Sequence, residues 1–234
     1  VDGHGRTSPL SGLPYLDFLA ELHLRRQVNR YLEIGTQSGK SLGLARGEAI
    51  AIDPKFVFEP SWKKKPGMHL FEMTSDAFFA AHDPCEILGG PVELAFIDGM
   101  HLADFVLRDF YNVERCCSEK SLIVLHDAIP RNFEMTERDR RTSARRDKPL
   151  AWNWTGDVWR VLPLLRRERP ELRIQVLDCP PTGLVLVGNL DPHYRMPPGR
   201  LDELTRMFTE TEVPESDFWS FIESLEVTDS RKIF

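Results

Sequence analysis

Short apolar runs alternate with stretches of helical spacing along most of this chain, and several of the runs end at an acid. Tyr31–Ile34, Ala49–Ile52, His69–Met73, Pro91–Ile97 and Ser121–Leu125 have the length and aliphatic content of buried strands. The segments around them predict helices. Leu13–Val28 places Leu16, Phe18, Leu19, Leu22 and Leu24 at partly helical spacing, and a second helical pattern begins at Ser41. Ser75 reads as the cap of a third, and Leu102–Cys117 sets Phe105, Val106, Phe110 and Val113 along one side. Strands alternating with helices imply a parallel sheet covered on both faces. Further on, Thr155–Leu162 reads as a capped helix that Pro163 must end or bend. Leu172–Leu177, a Cys179–Gly183 turn and Leu184–Val187 then make a hairpin. The tail carries two helical patterns, Leu201–Phe208 and Ser216–Leu225.

The 234 residues suit one domain over 1–234, with an N-terminal helical region at 1–29, a core at 30–190 and a C-terminal helical extension at 191–234. Within it, Ile129–Asn153 breaks the rhythm. This polar segment carries Arg131, Arg138, Arg140, Arg141, Arg145 and Arg146, and reads either as a lid or as a disordered connection. A formal charge of -6 argues against a general nucleic-acid binder, and Lys63–Lys65 is too short a run to change that. No apolar run approaches the roughly 18 residues of a membrane helix, and the first residues lack the apolar core of a secretory signal. Cys85, Cys116, Cys117 and Cys179 form no metal or redox spacing, so they read as reduced, packed thiols of a cytoplasmic protein.

The densest chemistry lies in Glu33-Ile-Gly35-Thr36-Gln37-Ser38-Gly39-Lys-Ser41, followed by Asp53 at the end of the next strand. A strand, a glycine turn, a helical pattern and a second strand ending in an acid make a nucleotide-binding unit, with Asp53 suited to ribose hydroxyls. The ligand of such a sheet lies beyond the carboxyl ends of the strands, where Glu33, Asp53, Asp98 and Asp127 all fall. Glu-x-Gly-x-x-x-Gly stands in place of Gly-x-Gly-x-x-Gly, and an acid at the strand end would repel a pyrophosphate. S-adenosylmethionine carries a sulfonium, an ammonium and a ribose, all suited to carboxylates. The pattern therefore points to a methyl-donor site.

Together, Glu33–Ser41, Ala51-Ile-Asp-Pro54, Phe96-Ile-Asp-Gly-Met-His101 with Asp109 beyond it, and Ile123-Val-Leu-His-Asp127 resemble the class I S-adenosylmethionine-dependent methyltransferases. Within that class they are similar to the small-molecule O-methyltransferase group. The resemblance spans roughly residues 30–190 and implies an α/β, Rossmann-like doubly wound sheet of seven strands. Such a sheet is mostly parallel, its last strand is antiparallel and inserted by the final hairpin, and here a helical tail follows. It also implies that Glu33 lies near the methionine ammonium or the first turn, and that Gly35, Thr36, Gln37, Ser38 and Gly39 wrap the methionine and ribose. By the same resemblance Asp53 takes the ribose, Ser75 and Asp76 meet the adenine, and Asp98 stands beside the sulfonium. Plainer roles compete: a turn carboxylate for Asp53, a solvated first-turn acid for Asp76, a helix cap for His101, and a structural tie for Asp109.

Methyl transfer from a sulfonium needs an acceptor that is positioned and deprotonated. His101 and His126 are candidate bases. Asp98 and Asp127 are candidate ligands for Mg²⁺ or another divalent cation, which would lower the pKa of an acceptor hydroxyl. Metal-dependent relatives follow the second acid with an amide. Here Ala128 stands there, leaving the third ligand to come from elsewhere, such as His126 or Asn132. The expected partner is a hydroxylated small molecule, a sugar or specialised metabolite, with the arginines suiting an anionic one. A homo-oligomer is left open. The alternatives are a nicotinamide-dependent oxidoreductase and a non-catalytic binding protein on the same fold.

Overall fold

The apolar runs assemble into one mixed sheet of eight strands, in the order β3-β2-β1-β4-β5-β7-β6-β8. The structure, a computed structural model, describes residues 10–57, 67–141 and 153–234. Lys63–Lys65, Arg145, Arg146 and the first nine residues lie outside the described residues. The strands are β1 Arg30–Ile34, β2 Glu48–Ile52, β3 Met68–Phe71, β4 Val92–Ile97, β5 Cys117–His126, β6 Arg173–Leu177, β7 Leu184–Gly188 and β8 Val227–Thr228. The helices are α1 Tyr15–Arg26, α2 Ser75–Ala81, α3 Pro84–Leu88, α4 Ala103–Glu114, α5 Val161–Glu168, α6 Arg200–Glu210 and α7 Glu215–Ser224.

Register explains why the site forms where it does. Ile34 pairs with Ile52 on one side and Ile97 on the other, and Ile97 pairs with Leu125. The next residue of each parallel strand therefore falls on one rung: Asp53, Gly35, Asp98 and His126. The strand order reverses between β1 and β4, which is the place where an open α/β sheet leaves a crevice. Alternating residues of the central strands feed two cores. Leu32, Ile34, Ile97 and Leu125 meet α4 through Val106 and Phe110 on one face. Tyr31, Phe96 and Val124 meet Phe18 and Leu19 of α1 on the other. Each such side chain contributes about 1.5–3 kcal/mol on burial.

β7 runs antiparallel between β5 and β6, as the hairpin implies. The sheet has an eighth strand beyond the seven expected, because Val227–Thr228 adds to the edge of β6, and two residues leave no periodic pattern to read. The helix expected from Ser41 is only a 3₁₀ turn, Leu42–Leu44. Gly43 and Gly47 weaken a helix there, and Phe18 and Leu19 of α1 pack with Leu42 and Ala45 instead. Leu24 of α1 stands outside that packing, 47% exposed.

Thr74, not Ser75, caps α2: its hydroxyl accepts from the Ala77 amide at 3.2 Å. Asp83 caps the short α3, which the apolar pattern did not foretell. Pro163 does not end its helix. It occupies the first turn of α5, where a missing N–H is tolerated, after a 3₁₀ turn at Val158–Arg160.

Of the Arg-rich segment, residues 129–138 are buried or half-buried, with Ile129 and Met135 fully buried and a 3₁₀ turn at Phe133–Thr136, and Asp139, Arg140 and Arg141 are exposed. All four cysteines are free. Among the described residues no helix is long and apolar enough to cross a membrane.

Candidate active site

A cavity of about 650 Å³ opens at the carboxyl ends of β1, β2, β4 and β5. Gly35, Gln37, Asp53, Ser75, Asp76, Asp98, His101, His126 and Asp127 all line it. Glu33, Thr36, Ser38, Gly39 and Ser41 do not. Glu33 lies fully buried behind β1, where the Tyr31 hydroxyl donates to its Oε2 at 2.6 Å. Burial raises its carboxyl to about 7, against the pull of hydroxyls around it. Its Oε1 and the Thr36 Oγ1 are buried without a hydrogen-bond partner.

The glycine turn serves the fold before it serves any ligand. Gly35 has φ +88°, and a Cβ there would lie 2.0 Å from the Asp98 carbonyl oxygen. Its missing side chain is what lets the ends of β1 and β4 close together. Asp53 is a turn carboxylate: Oδ2 accepts from the Gln37 amide at 2.8 Å and Oδ1 from the Lys55 amide at 2.7 Å. Each carboxylate oxygen keeps a further lone pair, and Asp53 lines the cavity, so the two roles coexist. Asp76 is half-exposed and accepts from two Arg108 guanidinium nitrogens, Nε at 3.2 Å and Nη2 at 3.0 Å.

The chemical centre is an interlocked set of two carboxylates and two imidazoles. His126 Nδ1 lies 2.9 Å from Asp98 Oδ1 and 3.5 Å from Asp127 Oδ2. His101 Nδ1 lies 3.0 Å from Asp127 Oδ2, and its Nε2 lies 3.4 Å from Asp98 Oδ1. The Thr182 hydroxyl donates to Asp127 Oδ1 at 2.5 Å, and the Tyr15 ring lies 4.5 Å from that of His126. His101 and Asp127 both have φ +56°, a left-handed conformation that non-glycine residues rarely adopt.

Burial opposes charge on His101, but Asp127 and Asp98 outweigh it and hold the ring up at about 9. The same carboxylates, against burial, raise His126 well above its usual range. Burial works against Asp98, yet the two imidazoles keep it below the usual carboxylate range.

His101 is also clamped from outside. Its Nδ1 faces the Trp154 carbonyl at 2.9 Å, and the two rings stack 5.2 Å apart. Gly156, at φ +53°, packs so closely that a Cβ there would meet the His101 carbonyl oxygen at 1.8 Å. Trp154 is itself tied down, its indole N–H donating to the Glu137 carbonyl at 2.6 Å. Sequence reasoning missed Tyr15, Thr182 and Gly156. Thr182 had a signal, a hydroxyl in the Pro-Pro-Thr-Gly turn of the hairpin, whereas Tyr15 is brought in from the far end of the chain.

Asp98, His101 and Asp127 each offer a ligand atom within 4.8 Å of the others. Two carboxylates and an imidazole fit a divalent cation chemically. The imidazole of that set is His101, whereas the sequence suggests His126 or Asn132. The Asn132 side chain instead accepts from the Met135 amide at 3.0 Å as a 3₁₀ cap. The donor set fits S-adenosylmethionine as well, because acids line the cavity and Gly35 and Gly99 leave its wall bare.

Residues 32–128 match a family model described as a methyltransferase domain. That stretch is similar to a methyltransferase domain. The match covers the glycine turn, Asp53, Asp98, His101 and both His126 and Asp127 at the end of β5. Solved structures share the fold. A Staphylococcus aureus protein provisionally described as a caffeoyl-CoA O-methyltransferase has a TM-score of 0.54 at 14% identity, over 74% of this chain and 81% of its own. The S-adenosylhomocysteine-bound methyltransferase PaMTH1 of Podospora anserina has a TM-score of 0.53 at 14% identity, over 76% of this chain and 78% of its own. No curated protein matches the chain in sequence.

Proposed function

We propose that this protein is an S-adenosylmethionine-dependent methyltransferase that methylates a hydroxyl of a small molecule, with His101 as the base that takes the hydroxyl proton. The observation that carries the reading is the fixing of His101 Nδ1 between two acceptors, the Trp154 carbonyl and Asp127. With the Nδ1 proton held there, Nε2 is the nitrogen left to exchange a proton at the cavity. Gly35, Gln37, Asp53, Ser75, Asp76 and Asp98 would hold S-adenosylmethionine, which supplies an activated methyl group. Asp127 stabilises the imidazolium that forms, and His126 holds Asp98 in place.

Arg140 and Trp154 line the same cavity, and the guanidinium carbon lies 5.8 Å from the ring centroid. They suit an acceptor that is flat or anionic, such as a phenolic or acidic metabolite or a sugar acid.

A second reading is favoured by the grouping of Asp98, His101 and Asp127: these three would hold a divalent cation, Mg²⁺ being the hard-ligand choice, which would lower the acceptor's pKa. The two readings use His101 differently and one experiment separates them. Methyl transfer to a panel of phenols and hydroxy acids is measured in excess chelator. Full activity there, abolished in His101→Asn, supports the base. Loss in chelator with recovery on adding Mg²⁺ supports the cation.

A further inference from the structure

Cys85 and Cys116 stand 31 positions apart, yet the fold sets one thiol against the backbone of the other. The Cys85 S–H donates to the Cys116 carbonyl at 3.4 Å, and the Val92 amide donates to the same oxygen at 2.9 Å. Asp83 fixes the Cys85 end of this contact: its Oδ1 accepts from the Cys85 amide at 2.8 Å as the cap of α3. Cys116 follows α4 at the turn into β5, and its S–H reaches back to the Asn112 carbonyl at 3.4 Å. Each sulfur lies close enough to shift the ionisation of the other. Both thiols are half-buried, whereas Cys117 and Cys179 are sealed in the core.

The backbone has slack at this point. Val92 pairs with Cys117 and Leu94 with Leu122, so the stretch of β5 between the two pairs is longer than the stretch of β4 that it faces. An irregular ladder of this kind lets Cys116 shift without breaking the sheet. The S–H donors that would be lost are weak ones. The place is the amino end of β4 and β5, opposite the cavity.

The two thiols are not equivalent. Burial and Asp83 oppose a thiolate at Cys85, but Arg30 favours one, and the Arg30 guanidinium packs beside Gly90 just after α3. Burial, with Cys85 and Asp83, pushes Cys116 up to about 12 against Arg115, so it stays a thiol until its neighbour has been oxidised.

We propose that Cys85 and Cys116 form a thiol-oxidation site that closes into a reversible disulfide, the oxidant being a low-molecular-weight disulfide such as oxidised glutathione. The Cys85 thiolate attacks one sulfur of the oxidant. A mixed disulfide forms, and the first glutathione leaves and takes up the proton that Cys85 lost. Cys116 then loses its proton, attacks the Cys85 sulfur and expels the second glutathione, which takes that proton. Two protein thiols give up two electrons, and one glutathione disulfide becomes two thiols. The new bond ties α3 to the exit of α4.

The test is oxidation of the folded, fully reduced chain with oxidised glutathione at pH 8, followed by peptide mapping without reductant. Wild type, Cys85→Ser, Cys116→Ser and Cys117→Ser are compared. The expected product joins Cys85 to Cys116, is reversed by dithiothreitol, persists in Cys117→Ser and is missing from the other two variants. Cys116→Ser should instead hold glutathione on Cys85. Thermal unfolding of the oxidised wild type should shift up by about 4–10 °C, because the cross-link restricts the unfolded chain. Fragmentation of the wild-type product identifies the partner of Cys85 even where a variant fails to fold. Folded wild type that keeps all its thiols overturns the proposal, and so does a bond from Cys117 to either of the others. A cross-link that lowers the unfolding temperature overturns it too, since it would form only by distorting the fold.

Discussion

His101 and Trp154 hold each other twice, once through the Nδ1-to-carbonyl contact at 2.9 Å and once through ring stacking at 5.2 Å. The stack fixes the plane of the imidazole and the carbonyl fixes its proton, so Trp154 sets the direction in which Nε2 points. Trp154→Ala keeps the carbonyl and removes the stack. The expected result is a fall in kcat of roughly 10–100-fold, the scale of a small misplacement of a reacting group. His101→Asn should lose about 10²–10⁴-fold. Steady-state kinetics with both variants check this; unchanged kcat in Trp154→Ala would leave the stack without a catalytic role.

The pH profile follows from the direction of the His101 shift. The base must be neutral to accept a proton, and its neighbouring carboxylates hold the ring up at about 9 from the ordinary 6.5. Activity in chelator should therefore rise with pH from 6 and pass half of its plateau near pH 9, where an unperturbed histidine would pass it near 6.5. Folding stability runs the opposite way. The His101 pairing contributes fully below 6.5 and is lost as pH rises through about 9, so thermal unfolding should occur at lower temperature at pH 10 than at pH 7.

Arg138 ties the segment after β5 to the rest of the domain. Its guanidinium donates to Asp104 on α4 at 2.7 Å and to Asp157 at 2.6 Å, two carboxylates that are almost wholly buried. Asp157 in turn accepts from the Ala103 amide at the start of α4. Arg138→Ala leaves Asp104 with a guanidinium no nearer than 3.9 Å. Stability should drop by about 2–4 kcal/mol, since removing one partner strands a buried charge. Denaturant unfolding measures it, and a loss under about 0.5 kcal/mol would contradict the network's role.

Gly35→Ala tests the junction of β1 and β4. The new Cβ meets the Asp98 carbonyl and the φ of +88° is hostile to a side chain. Destabilisation of about 2–4 kcal/mol is expected, with weaker S-adenosylhomocysteine binding, because Asp98 must shift. Wild-type stability in this variant would mean that the strand ends are not closely packed.

The strand ends were legible because their chemistry is local: an apolar run followed by Asp53, Asp98 or His-Asp is visible without knowing the fold. Glu33 belongs to the same motif but points behind the sheet, and only the pleat of β1 decides that. The clamp on His101 was illegible for a different reason. Trp154 and Gly156 lie more than fifty residues from it and meet it only once β5 and α4 are side by side. Tyr15 reaches His126 from the other end of the chain, along a helix whose periodicity predicted burial but not an aromatic neighbour for an imidazole. The eighth strand is two residues long and follows from pairing with β6, not from its own sequence.

The most direct measurement is calorimetric titration of the protein with S-adenosylhomocysteine, run beside NADH as a control. The account predicts saturable one-to-one binding of S-adenosylhomocysteine and none of NADH. A folded protein that fails to bind S-adenosylhomocysteine would contradict it.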